Sequence, residues 1–218
     1  MAEITASAVK ALREKTGAGM MDCKAALAEA KGDESTAIEI LRKKGLKDLS
    51  KRASKVAAEG TVGFYLHAGG QIGAMVELNC ETDFVARGQD FQDLARGIAM
   101  HISAMKPVYL SEADVPSEVI EKEKSILLET LTDAQKTKAD QIIPGKLKKF
   151  YEENVLLNQV YIKEDDGKFT IQQLVENLSA KVGEKITVRR FSRIEVGEGI
   201  EKQETDLAKE VQATLAAS

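Results

Sequence analysis

Residues 60–80 read Gly60-Thr61-Val62-Gly63-Phe64-Tyr65-Leu66-His67-Ala68-Gly69-Gly70-Gln71-Ile72-Gly73-Ala74-Met75-Val76-Glu77-Leu78-Asn79-Cys80. Val62, Phe64 and Leu66 alternate with other residues, Gly69-Gly70 supplies a two-residue turn, and Ile72, Ala74, Val76 and Leu78 alternate again. A period of two on both sides of paired glycines predicts an antiparallel β-hairpin. Downstream, Asp90 opens a helix with an apolar face of Phe91, Leu94, Ala95, Ile98, Ile102 and Met105, closed by Pro107. Residues 116–131 and 134–152 predict a charged helical hairpin, with Pro144 expected to kink or split its second arm. A short helix is expected over 170–182, a strand over 185–196 with Ile186, Val188, Ile194 and Val196 on one face, and a last helix near 203–216. The sum is an α+β protein: a small three-stranded antiparallel sheet packed by helices.

Upstream of the hairpin the period is helical. Ile4, Ala8 and Leu12 share one face of a first helix, which Gly17-Ala18-Gly19 breaks. Cys23, Ala26, Leu27 and Ala30 mark a second helix ending at Gly32. Asp33 can cap a third, with Ala37, Ile38 and Leu41 inward and Gly45 at its end. The expected organisation is a three-helix module over 1–45, a basic linker over 46–59, a core domain over 60–196 carrying the helical hairpin at about 116–152, and a C-terminal module over 197–218.

Composition narrows the function classes. The 218 residues hold 31 Lys and Arg against 35 Asp and Glu, with six Phe, four Tyr and no Trp. An acidic, aromatic-poor chain is a poor candidate for a nucleic-acid binder or a base-stacking platform. Of the basic residues 12 lie in residues 1–60, which hold only 9 of the acidic ones, so residues 1–60 are the basic part of the chain. Cys23 and Cys80 form no C-x-x-C pair. Met1 to Thr5 lacks the pattern of a signal peptide, and no apolar run approaches a membrane span, so a cytoplasmic protein is expected.

Enzymatic chemistry finds no footing. His67 and His101 have no metal-ligand spacing with Cys80 or a carboxylate, and His101 borders an apolar helical face, as a structural histidine does. There is no phosphate-binding loop and no G-x-S-x-G elbow; the lone Gly17-Ala18-Gly19 and Gly197-Glu198-Gly199 read as turns. No cofactor and no metal are expected. Two segments stand out instead. Met20 and Met21 begin a helix after a glycine turn, either filling a tiny core or offering an adaptable partner surface. Phe84, next to Asp83 in the loop after the hairpin, is either a core plug beside a turn residue or a wedge held by a rigid hairpin.

Three long stretches are specific enough to carry a resemblance. Ile4-Thr5-Ala6…Thr16-Gly17-Ala18-Gly19-Met20-Met21-Asp22-Cys23-Lys24-Ala25-Ala26-Leu27, Glu77-Leu78-Asn79-Cys80-Glu81-Thr82-Asp83-Phe84-Val85-Ala86-Arg87, and Phe191 to Thr205 resemble, in order, bacterial translation elongation factor Ts. The resemblance implies a guanine-nucleotide exchange factor for the GTPase elongation factor Tu, and no chemical catalysis. It implies a ubiquitin-associated-like N-terminal module docking through Leu12, Met20, Met21 and Lys24. It also implies that Thr82, Asp83, Phe84 and Val85 disturb the magnesium site of the GTPase. Longer members carry two core copies; this chain has one hairpin and resembles the short form, for which a homodimer is expected, with no membrane and no direct nucleic-acid contact. The rival readings are a ubiquitin-associated-like scaffold or chaperone, and an RNA binder using Lys43–Lys55.

Overall fold

The computed structural model describes residues 4–16, 18–52, 54–163 and 169–200. The expected helix near 203–216, and most of the expected C-terminal module, lie outside the described residues. The order is α1 (Ala6–Thr16), α2 (Met20–Glu29), α3 (Glu34–Arg52), β1 (Glu59–His67), β2 (Ile72–Cys80), α4 (Asp83–Ala86), α5 (Gln89–Met105), α6 (Ser117–Glu129), α7 (Asp133–Lys136), α8 (Ala139–Asn154), α9 (Ile171–Val182) and β3 (Thr187–Glu195). The sheet is antiparallel in the order β1-β2-β3, so the α+β reading holds.

The sheet's inner face is its core face. Ala74, Val76, Leu78 and Cys80 from β2 pack with Phe91, Ala95, Ile98, Ala99 and Ile102 of α5, and with Ile171, Val175 and Leu178 of α9. The close approach of α5 to β1 requires Gly63: a Cβ there would collide with the Ala95 carbonyl. Alternation along β1 therefore has the opposite sense to a simple reading. Gly63 and Tyr65 face the core, and Val62, Phe64 and Leu66 face outward. The hairpin loop is also longer than expected. The strands separate at His67 and Ile72, leaving the four residues Ala68–Gln71, with both glycines at positive φ.

Strand β3 corrects a second expectation. Its register against β2 passes from Arg190 opposite Glu77 to Val188 opposite Leu78, leaving Arg189 as an extra residue. Such a bulge switches which side chains face in. Val188 is buried on the core side, whereas Ile194, expected on the same face, lies on the outer one, and Val196 beyond the strand is exposed. Arg189 and Arg190 both bond the carboxylate of Glu77, at 2.8 and 2.6 Å.

The N-terminal helices enclose a small separate cluster of Val9, Leu12, Cys23, Ala26, Leu27, Ala30, Ala37 and Leu41. Ala8 is exposed and Val9 takes its expected place. Gly45 does not end the third helix. α3 continues to Arg52, so much of the stretch expected as a linker is helical. Gly45 faces α9, where a Cβ would stand 3.9 Å from that of Ala180, and Arg52 donates to the Ser179 carbonyl at 3.5 Å. Pro144 lies inside α8 rather than dividing it; the break falls at Thr137-Lys138, after the capping box that Thr132 and Gln135 form at α7.

Candidate functional site

The chain leaves β2 at Cys80 and enters α4 at Asp83, after Glu81 and Thr82. Thr82 caps this single turn, its Oγ1 accepting from the Val85 N–H at 3.4 Å. A four-residue helix has no stability of its own, so its placement depends on what holds its two ends and its inner side. Inside, Val85 and Ala86 plug the core, and Gln92 donates to the Ala86 carbonyl at 2.6 Å. At the N-terminal end, Thr82 donates from its N–H at 3.0 Å and its hydroxyl at 2.6 Å to the carboxylate of Glu184, in the loop between α9 and β3. The Cys80 thiol, pushed up to about 11 chiefly by burial and further by the nearby Glu184 charge, stays protonated and donates to the Thr82 carbonyl at 3.1 Å.

Phe84 is the result. It stands on this clamped turn 84% exposed, the most exposed of the large apolar side chains among the described residues. Asp83 and Arg87 flank it, paired at 3.0 Å across one helical turn. Both are well exposed, so that pair contributes at most a few tenths of a kcal/mol.

A second exposed surface lies on α2. Met21 is 75% exposed, and Met20 and Lys24 are exposed beside it. Asp22 ties α2 to Lys44 of α3 at 2.5 Å. No group of three or more His, Cys, Asp or Glu that could hold a metal ion occurs among the described residues. His101 is fully buried: its Nδ1 accepts from the Ile162 N–H at 3.2 Å, so Nε2 carries the proton toward Gln159 Oε1 at 3.0 Å. Burial holds its pKa below the usual histidine range, with the Gln159 bond opposing, and leaves a neutral structural histidine.

A family model described as elongation factor TS matches residues 3–198. The chain belongs to the elongation factor Ts family. Elongation factor Ts of Moorella thermoacetica is 56% identical over 203 residues, covering 92% of this chain and 99% of that protein. The protein of the same name from Desulfitobacterium hafniense is 53% identical over 213 residues, covering 97% of each chain, and that from Desulforamulus reducens is 52% identical over 219 residues, covering the whole of both.

Seen with this family membership, the residues singled out by resemblance divide by burial. Thr82, Asp83 and Phe84 are exposed together at the N-terminal end of α4, and Met20, Met21 and Lys24 are exposed together on α2. Leu12 and Val85 are corrections to the expected contact surfaces. Leu12 is 0% exposed at the centre of the N-terminal cluster, and Val85 is 8% exposed in the main core. Each supports a surface from beneath and offers none itself. Glu184 escaped the sequence reading because it lies 102 residues from Thr82 in sequence and belongs to no local pattern. No helix of the described residues is long and apolar enough to cross a membrane.

Proposed function

We propose that this protein is a guanine-nucleotide exchange factor for elongation factor Tu, acting in the cytoplasm during translation elongation and making or breaking no covalent bond. The N-terminal module docks through Met20, Met21 and Lys24, and the α4 turn presents Phe84 and Asp83 to the nucleotide and magnesium site of the GTPase. The observation that carries this reading is Phe84: an apolar ring 84% exposed on a turn capped at its N-terminal end. A ring that served only the fold would be buried, as Phe91 is seven positions later.

Exchange is a coupling of two affinities. Whatever the factor removes from nucleotide affinity, the nucleotide removes from the affinity for the factor. Weakening the nucleotide a thousandfold requires about 4 kcal/mol of differential binding. Burying one Phe contributes about 1.5–3 kcal/mol, so Phe84 needs an anchor. The methionine surface supplies one, and its flexible thioethers suit a contact that must survive changes in the GTPase. A scaffold without exchange activity would account for α1–α3 but leaves Phe84 without a role.

The outer sheet face supports a symmetric homodimer joined through the core domain. Val62, Phe64 and Leu66 of β1, Met75 of β2 and Ile194 of β3 form an exposed apolar layer, while the Glu77 carboxylate on the same side is paired with Arg189 and Arg190. A face that is largely apolar fits a second copy of itself. The main test is release of fluorescent GDP from elongation factor Tu. Micromolar protein is expected to accelerate it; an unchanged rate would remove the exchange reading.

A further inference from the structure

Two carboxylates far apart in the chain each accept the other segment's backbone. Glu184 accepts the N–H groups of Glu81 and Thr82 at 3.1 and 3.0 Å and the Thr82 hydroxyl at 2.6 Å. Glu81 in return accepts the Lys185 N–H at 2.7 Å, and its other oxygen takes Lys55 Nζ at 2.6 Å. Lys185 Nζ reaches the Lys55 carbonyl at 2.9 Å. Three segments therefore meet in one latch: the start of the α4 turn, the α9–β3 loop, and the chain arriving from α3.

The α9–β3 loop is itself held firmly. Gly183 ends α9 in the left-handed conformation at φ 80°, and the Ser179 hydroxyl bonds the Glu184 carbonyl. Two residues later Ile186 is buried in the core. The Glu184 carboxylate is thus carried on a rigid base, as a group that orients another should be.

We propose that Glu184 is a positioning residue for nucleotide exchange. Through Thr82 it sets the direction in which Phe84 leaves the protein, and through the reciprocal Glu81 bonds it registers that direction against the segment from the N-terminal module. The inference rests on the reading of Phe84 as the exchange wedge. Val85 and Ala86 fix how deeply the turn sits, whereas its N-terminal end is fixed by the carboxylate. Bonds to a charged acceptor are the stronger kind and hold their geometry well. At such partly exposed positions they add little to global stability, so the latch serves geometry more than folding.

The test compares wild type, Glu184→Ala, Glu184→Gln, Phe84→Ala and the Phe84→Ala/Glu184→Ala pair in fluorescent-GDP release from elongation factor Tu. Maximal rate, half-saturating concentration and melting temperature are measured for each. Glu184→Ala is expected to lower the maximal rate about tenfold, the loss of charge-assisted bonds to one group. Its half-saturating concentration and melting temperature should stay close to wild type. Glu184→Gln should recover most of the rate, because an amide oxygen can take both N–H groups while its nitrogen donates to the Thr82 hydroxyl. The double variant should be no slower than Phe84→Ala alone, since a missing ring cannot be misdirected. Losses that multiply in the double variant, or a wild-type maximal rate for Glu184→Ala, overturn the latch while leaving the wedge in place. A wild-type rate for Phe84→Ala overturns the wedge itself. Should Glu184→Ala fail to fold, Glu184→Asp draws the carboxylate back from Thr82 by one carbon and leaves the Thr82 cap on the Val85 N–H in place; a maximal rate lowered by about threefold supports the proposal and an unchanged one refutes it.

Discussion

Phe84 and the Met20–Met21 pair are both exposed apolar surfaces, yet the protein treats them differently. The methionines sit on a ten-residue helix over a cluster made largely of Ala and Leu, with flexible side chains. Phe84 sits on a single turn fixed by Glu184, Thr82 and two core plugs beneath it. A docking surface benefits from adaptability, because it must keep hold of a partner whose shape changes. A wedge benefits from rigidity, because energy spent on ordering it is lost to displacement. The contrast predicts that the two surfaces control different quantities, affinity for the one and rate for the other.

The largest effect should come from the residue that separates core from wedge. Phe91→Ala empties a fully buried site and is expected to cost about 3–5 kcal/mol of stability. For a chain of this size that lowers the melting temperature by about 10 °C, readable by circular dichroism. Should Phe91→Ala melt like wild type, the two-phenylalanine comparison would lose its core half. Next, replacing both Met20 and Met21 by Ala should raise the half-saturating concentration for exchange about tenfold or more, from lost apolar burial, with the maximal rate little changed. A reduced maximal rate at unchanged half-saturation would blur the division between docking and displacement.

A smaller effect concerns the frame behind both surfaces. Because folding lowers the His101 pKa below its usual 6.5, the unfolded chain takes up a proton that the folded one resists. Stability should be at its full value above pH 6.5, fall as pH drops below it, and level off below the folded pKa. The ring is in contact with Gln159, the Ile162 N–H and Tyr161. Melting temperatures between pH 5 and 8 should show this slope, flattened in His101→Gln; an identical slope in the variant would assign it to other groups.

Element types were legible in the sequence wherever one periodicity ran uninterrupted. The hairpin at 60–80, helix α5 and the three N-terminal helices follow from spacing. What was hidden depends on partners distant in the chain. Gly63 turns β1 over because a helix carbonyl needs the space its missing Cβ leaves. The bulge at Arg189 reverses β3 part-way along, and alternation counted through it puts Ile194 on the wrong face. Gly45 reads as a stop, but α9 packs against it and the helix continues. At the site, Phe84, Met20 and Met21 were visible as residue types, with both burial readings open. Leu12 and Val85 share a helix and a motif with exposed residues, and only packing separates them. Glu184 had no local signal at all.

The most direct test of the account is Phe84→Ala, measured for melting temperature and for fluorescent-GDP release from elongation factor Tu on the same preparation. The account predicts a melting temperature within about 2 °C of wild type, as for an exposed side chain. It predicts a maximal release rate lowered by about tenfold or more, as loss of one buried phenyl contact at the partner requires. The half-saturating concentration should change little. A large fall in melting temperature, with exchange reduced only in proportion to the folded fraction, would return Phe84 to the core and contradict the account.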